Sequence, residues 1–326
     1  MNYSIIHIPS FPRFKALSLS DKDSIEGFLQ TFEPYCDFQF WAMWHRNIDD
    51  SWHISQLHGH FIIRFTDHIT GKELCTVLGN NSETGPVVIG LLKYLQNVTL
   101  QPQLSLVPEV TVKAINGKHH NFIRLHEDRA NADYVYSVGK LVNLHGNEYK
   151  SKRSDIKRFW TRYPTAHVRE VRLADQHDNT QMETILKKWA KNKPTGNFQR
   201  EIRTMERVLA TEANRKDLFV LGLFMENKLI GFSVNERFNE EWYNGYFGKA
   251  DRGYEGAYAV LEQETAKHYL ALGCKYVNLE QDLGIPGLRK NKLLWRPNKF
   301  LKKYSVYPRW GSGFDSLNLQ ISPQQP

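Results

Sequence analysis

The chain has 326 residues, 41% hydrophobic and 13% aromatic, which is enough to bury one large core or two ordinary ones and excludes a disordered chain. No window approaches the eighteen or so apolar residues of a membrane span, no signal-type apolar run opens the chain, and three distant cysteines exclude a disulfide framework; the expectation is a cytoplasmic globular protein with buried thiols. The formal charge of +8 is uneven, since residues 1–137 carry 11 basic and 14 acidic side chains, a net of −3, whereas residues 138–326 carry 32 and 21, a net of +11.

In chain order, Ser20-Asp21 can cap a helix running to about Thr31, with Ile25, Phe28 and Leu29 on one face. Residues 52–65 and 73–79 read as strands, and Pro86 opens a helix with Val87, Val88, Leu91, Leu92 and Leu95 as its apolar stripe. The segment from Lys150 to Arg158 reads as a basic helix whose buried face is Ile156, Phe159 and Trp160. Met182, Ile185, Leu186 and Trp189 sit at helical spacing, and an amphipathic helix is expected over 199–214. Residues 218–225 form an apolar strand, Asn227-Lys228 turns it, residues 229–234 return, and a third strand covers Trp242–Gly248. After Arg252-Gly253-Tyr254-Glu255-Gly256 a helix runs to about Leu272, and the strand from Tyr276 to Leu279 delivers Glu280 and Asp282 to the turn at Gly284 and Pro286.

A meander of antiparallel strands, a glycine-bearing turn, a helix and a strand is the order of a GNAT-type acyltransferase domain. The first half repeats a shorter strand, loop and helix order. The fold expected is therefore α/β of the α+β kind: tandem GNAT-like domains, each a mixed, mostly antiparallel sheet flanked by helices. Residues 1–137 form the structural or acceptor-side domain and residues 138–310 the catalytic one. Residues 311–326, rich in Ser, Gln and Pro, form a flexible tail.

Asp133-Tyr134-Val135-Tyr136, Leu141, Leu144, Gly146, Tyr149, Lys152-Arg153, Ile156 and Phe159, together with Asn278–Lys292 and Arg296-Pro297, resemble the bacterial proteins grouped with the C-terminal domain of lysylphosphatidylglycerol synthetase. The resemblance spans most of the chain. It implies a tandem GNAT fold akin to Fem-type aminoacyltransferases, and transfer of an aminoacyl or acyl group to an amine or hydroxyl.

Acyl transfer needs a base for the acceptor and donors for the oxyanion. Glu280 and Asp282 are the candidate bases: as alternate residues of a strand they share a face, and crowding would raise one of the two toward working pH. Lys150, Arg153 and Lys157 lie three and four residues apart on the basic helix and suit phosphates. By the resemblance, Lys152 and Arg153 are the first donor-binding residues, with Lys292 and Arg296 second. Coenzyme A users in the superfamily hold diphosphate on backbone amides of a glycine turn before a helix. Here Gly253 and Gly256 are out of phase with Arg252, and Glu255 would repel the diphosphate, so aminoacyl-tRNA is favoured over acyl-CoA as co-substrate. Tyr246, among the aromatics of the third strand, is a weaker acceptor-pocket residue. No histidine or cysteine spacing marks a metal, and no tightly bound cofactor is expected. The competing class is a catalytically silent protein that holds RNA or another polyanion on the same basic surface. A peripheral protein reading anionic lipid is a third possibility. The acceptor and the transferred group are not legible in the sequence.

Overall fold

The computed structural model describes residues 7–67, 71–98, 102–191, 198–210, 218–309 and Phe314. The chain folds as two compact units, Met1–Ala132 with Leu301–Pro326, and Asp133–Phe300. The ranges 1–137 and 138–310 put residues 133–137 in the first domain and residues 303–308 in the second; in the structure each segment belongs to the other unit. Most of the tail from Gly311 lies outside the described residues, but Phe314 is fully buried in the first unit's core.

In the first unit the elements are β1 (Lys15–Ala16), α1 (Lys22–Leu29), α2 (Phe40–Arg46), β2 (His53–Leu57), β3 (His60–Thr66), β4 (Glu73–Leu78), α3 (Thr84–Val98), β5 (Leu104–Pro108), α4 (Glu109–Ala114), α5 (Gly117–His120), β6 (Ile123–Glu127) and the returning β14 (Lys303–Pro308). Strands β1 to β4 form an antiparallel sheet in sequence order, and β14 lies between β5 and β6 in a second. The run 52–65 is a hairpin, not one strand: His58 (φ 46°) and Gly59 (φ 73°) both adopt the left-handed conformation that a two-residue hairpin turn requires. The start of α1 is fixed by Asp21, whose carboxylate accepts from the Ser18 backbone N–H at 2.9 Å and from its hydroxyl at 2.8 Å. Helix α3 buries Val87, Val88, Leu91 and Leu92 against Ile62, Val77, Leu104 and Val306. Each such side chain contributes about 2 kcal/mol on leaving water.

In the second unit come β7 (Asp133–Ser137), α6 (Val138–Asn143), α7 (Lys150–Arg162), β8 (Ala166–Glu170), α8 (Gln176–Lys191), α9 (Phe198–Ala210), β9 (Leu218–Met225), β10 (Lys228–Arg237), β11 (Trp242–Ala250), α10 (Ala257–Ala271), β12 (Tyr276–Asn278), α11 (Pro286–Leu294) and β13 (Lys299–Leu301). They build one seven-stranded sheet in the order β13-β7-β12-β11-β10-β9-β8. Neighbours from β8 to β11 are antiparallel, β12 runs parallel to β11, and β7 runs antiparallel to β12. This is the mixed, mostly antiparallel α/β arrangement expected from the strand order. Helices α6, α7 and α10 close over Tyr136, Tyr243, Val260, Phe159 and Leu141 to make the core. All three cysteines are buried free thiols, and burial pushes Cys75 up to about 12. No helix of the described residues is long and apolar enough to cross a membrane.

Candidate active site

A parallel pair of strands inside a mostly antiparallel sheet has one end where the two chains part. Strands β11 and β12 stay in register through Trp242–Tyr276, Tyr243–Val277 and Asn244–Asn278. Beyond that point β11 continues to Ala250, while the other chain bonds β7 instead, Leu279 N–H to Tyr134 O and Tyr134 N–H to Glu280 O, each at 3.0 Å. Glu280 has φ +60°, so the strand ends at Asn278 and the alternation that would place Glu280 and Asp282 on one face does not apply. The Glu280 N–H donates to Asn278 Oδ1 at 2.7 Å, and the same Asn278 side chain donates to Asp133 Oδ2 at 3.1 Å.

Half-buried Glu280 lies close enough to Tyr246 for its charge to act on the phenol. Tyr246 donates to Glu236, which is 5% exposed, and burial first, then the Glu236 charge, pushes the phenol well above its ordinary range. The structure therefore brings together two of the expected residues, Glu280 and Tyr246, and adds Glu236, which lies in a strand whose apolar run conceals it in the sequence.

Asp282 plays a different part. It is 0% exposed, and Arg289 clamps both its oxygens at 2.8 Å. Tyr134 donates its hydroxyl at 2.5 Å and Gly284 its N–H at 2.8 Å. Burial opposes ionisation, but these donors outweigh it and pull the carboxyl down to about 2. Crowding does not raise Asp282 toward working pH. It ties β7, the 280–285 turn and α11 together and stays ionised.

The basic residues fall into three groups. Lys150 and Lys157 are exposed, and Lys157 lines a groove of about 330 Å³ with Arg158 and Arg162 and with the acids Asp155 and Glu255. Arg296 is exposed and lines a second groove, of about 420 Å³, with Arg289, Lys290, Leu293 and Leu294. Arg153 spends one guanidinium nitrogen on the carbonyls of Leu144 and Gly146, the latter at 2.7 Å, holding the loop after α6. Lys152 points inward instead: it is 8% exposed, 3.3 Å from Asn291 Oδ1 and 4.6 Å from the Trp295 ring. Lys292 donates to Leu279 O and lies 5.4 Å from the Tyr134 ring. Lys303 is 0% exposed and ion-paired with Asp37 in the first unit.

Half-buried Glu262 of α10, which sequence reasoning missed, feels the charges of Lys292 and Lys152 without forming an ion pair with either. Burial pushes this carboxyl up to about 7 against the pull of both lysines. The signal was present: Glu262 is three residues from Ala259, four from Ala266 and seven from Tyr269, all buried, so it occupies the inward stripe of the helix.

The turn before α10 is occupied by the chain itself. Gly253 N–H bonds Asp251 Oδ1 at 2.9 Å, Tyr254 N–H bonds Asp251 O at 3.0 Å and Ala257 N–H bonds Tyr254 O at 3.1 Å. Gly256 has φ +90°, and a Cβ there would stand 2.8 Å from the Asp155 carbonyl oxygen, so α7 packs directly on the turn. Glu255 faces Arg158 at 3.4 Å and Arg162 at 3.9 Å.

Comparison with known proteins agrees with this geometry. The family model for the phosphatidylglycerol lysyltransferase C-terminal domain matches residues 74–307. Among solved structures, a conserved protein of unknown function from Bacteroides thetaiotaomicron superposes with a TM-score of 0.77 at 25% identity, covering 91% of this chain and 99% of that one. The C-terminal domain of a putative lysylphosphatidylglycerol synthetase from Agrobacterium fabrum gives 0.58 at 11% identity over 83% and 90% of the two chains. L-PGS from Bacillus licheniformis gives 0.60 at 12% identity over 93% and 97%. No curated protein matches the sequence.

Proposed function

The chain belongs to the family of the phosphatidylglycerol lysyltransferase C-terminal domain, and from that premise we propose that it moves an aminoacyl group from an aminoacyl-tRNA to an amine or hydroxyl acceptor, with Glu280 as general base. The observation that carries the choice of donor is the closed turn before α10. Three of its amides are already bonded within the chain, Gly256 lies against α7, and Glu255 presents an acid where diphosphate would sit. A terminal aminoacyl ester needs no such cradle. It needs cations for its phosphates, which exposed Lys157 and Arg296 can supply in two grooves and exposed Lys150 at the start of α7, with half-buried Lys292 nearer the parting strands.

In this reading the acceptor enters beside Tyr246 and Glu280 takes its proton as the nucleophile attacks the ester carbonyl. The ester C–O bond then breaks, the terminal ribose oxygen of the tRNA leaving as a hydroxyl with the proton that Glu280 returns. Asp282 holds the turn that presents Glu280. Tandem GNAT architecture is part of the same reading and rests on the strand, loop and helix order of the first unit. A silent polyanion-binding protein is the second reading, favoured by the Arg289 clamp that withdraws Asp282 from proton transfer.

The test is binding and turnover side by side. Charged tRNA is expected to bind and coenzyme A is not, with Lys157→Ala plus Arg296→Ala weakening tRNA binding about tenfold. Glu280→Gln is expected to leave binding intact and lower transfer by about 10²-fold or more. Micromolar coenzyme A binding would overturn the donor assignment. Transfer unaffected by Glu280→Gln would overturn the base.

A further inference from the structure

The end of β12 is where Glu280 acquires its direction, and from its geometry we infer that Asn278 is a positioning residue for that carboxylate, with Asp133 fixing Asn278 in turn. The inference rests on the reading of Glu280 as general base and names the side chain that aims it. Leu279 N–H bonds Tyr134 O and Tyr134 N–H bonds Glu280 O, each at 3.0 Å, so two consecutive residues face one residue of β7. This is a bulge, and the extra residue of a bulge bends its strand and re-aims a side chain. Glu280 takes φ +60° there, a conformation that a residue with a Cβ avoids unless its surroundings hold it.

Asn278 supplies the hold. Its Oδ1 accepts from the Glu280 N–H at 2.7 Å, closing an Asx turn around the bulge. The last pair that β12 makes with β11 is Asn244–Asn278, and beyond it the Asn278 side chain, not a strand carbonyl, receives the Glu280 N–H. Asn278 is 1% exposed, and its Nδ2 donates to Oδ2 of Asp133, which is 0% exposed, at 3.1 Å. These two bonds fix which way the carboxamide points. Reversing it would set Nδ2 against the Glu280 N–H and Oδ1 against the Asp133 oxygen, two repulsive contacts in a buried place.

Three groups therefore run from β7 across β12 to the base: Asp133 Oδ2, the Asn278 carboxamide and the Glu280 N–H. Asp282, clamped by Arg289 and Tyr134, closes the turn on the far side of Glu280. Loss of the carboxamide lets residue 280 relax toward the extended conformation and swings its carboxylate away from the acceptor. The exposed cations proposed for the donor lie on α7 and beside α11, so the loss falls on kcat and spares KM.

Amide hydrogen exchange in ¹⁵N-labelled protein reads the contact. Discharge of bulk tRNA charged with radiolabelled amino acids reads the reaction, with ethanolamine as a probe that offers both an amine and a hydroxyl. Asn278→Ala is expected to speed exchange of the Glu280 amide about tenfold. It is expected to lower kcat by about tenfold or more, with KM within about twofold of the wild type. Added to Glu280→Gln it is expected to cost nothing further, because it acts through that carboxylate. The swap of Asp133→Asn with Asn278→Asp keeps a donor against an acceptor and keeps an acceptor for the Glu280 N–H. Protection and kcat are then expected within about threefold of the wild type, and the swap decides the matter where Asn278→Ala does not fold. Unchanged exchange at Glu280 in Asn278→Ala overturns the contact. An unmoved kcat there, a further loss on top of Glu280→Gln, or a folded swap with an unprotected Glu280 amide overturns the positioning role and leaves the base standing. Absence of discharge in the wild type, or discharge that survives Glu280→Gln, overturns the base reading instead, and amide exchange still decides whether Asn278 sets the turn.

Discussion

Two acids of the second unit end on opposite sides of the ordinary carboxylate range, because one is clamped by donors and the other is desolvated without an ion pair. Asp282 is met by directional donors on both oxygens and lies at about 2; Glu262 is met by charge without comparable hydrogen bonds and lies at about 7. The signs of their linkage are opposite. Asp282 has its folded value below its unfolded one, so its contribution is present above pH 4 and is lost as pH falls toward 2. Asp282→Asn is expected to cost about 2 to 3 kcal/mol at pH 7, since it leaves the Arg289 guanidinium and the Tyr134 hydroxyl with one acceptor fewer; the urea midpoint checks it. Glu262 has its folded value raised, so the folded state holds the extra proton between about 4.5 and 7 and stability is lost as pH climbs through that window. Glu262→Gln is expected to change stability by less than about 1 kcal/mol at pH 5 and to raise it by at most about 3 kcal/mol at pH 8. Equal midpoints for wild type and variant at both pH values would show that the carboxyl is not held near neutrality.

Helix α7 does more than present basic residues, because its Ile156 and Phe159 seal the core while its Asp155 carbonyl lies over the turn that opens α10. Gly256 is what permits the approach. Gly256→Ala puts a Cβ at φ +90° and 2.8 Å from that carbonyl, so it is expected to cost about 2 kcal/mol or more, read from the thermal midpoint. A midpoint within a degree of the wild type would mean α7 is not seated there. The helices α3, α7 and α8 were readable from their apolar spacing, because each buries one stripe of its surface. What escaped the spacing was local backbone handedness. The hairpin at His58-Gly59 lies inside a stretch that reads as one strand, and the left-handed Glu280 ends β12 one residue before the expected Leu279 and breaks the two-residue alternation. The sequence revealed that the glycines were out of phase for diphosphate, but not why, since the covering carbonyl comes from a residue about a hundred positions earlier.

Over the whole chain, composition located the positive charge in the second half but not how much of it faces solvent. The sequence holds two basic clusters, Lys150, Lys152, Arg153, Lys157, Arg158 and Arg162, then Arg289, Lys290, Lys292, Arg296, Lys299, Lys302 and Lys303, six and seven cations. In the structure Arg289 is spent on Asp282, Lys302 on Glu127 and Lys303 on Asp37, while Arg158 and Arg162 face Glu255 and Lys152 is buried. Lys292 and Lys299 are half-buried. Lys150, Arg153, Lys157, Lys290 and Arg296 remain as exposed cations. Burial and pairing depend on partners far along the chain, which is why counting charges overstated the surface. The difference is measurable as counterion release, which scales with the phosphates that cations neutralise at about 0.7 to 0.9 per contact. Thirteen solvent-facing cations would give tRNA binding a log–log salt slope of about −10, whereas the five that are exposed and face no acid give about −4. Fluorescence anisotropy of labelled tRNA between low and moderate salt separates the two. A slope near −4 that falls by about one with each of Lys157→Ala and Arg296→Ala fits a donor seated along the two grooves; a slope near −10 would mean that the ion pairs at Glu255 and Asp282 open when the polyanion arrives.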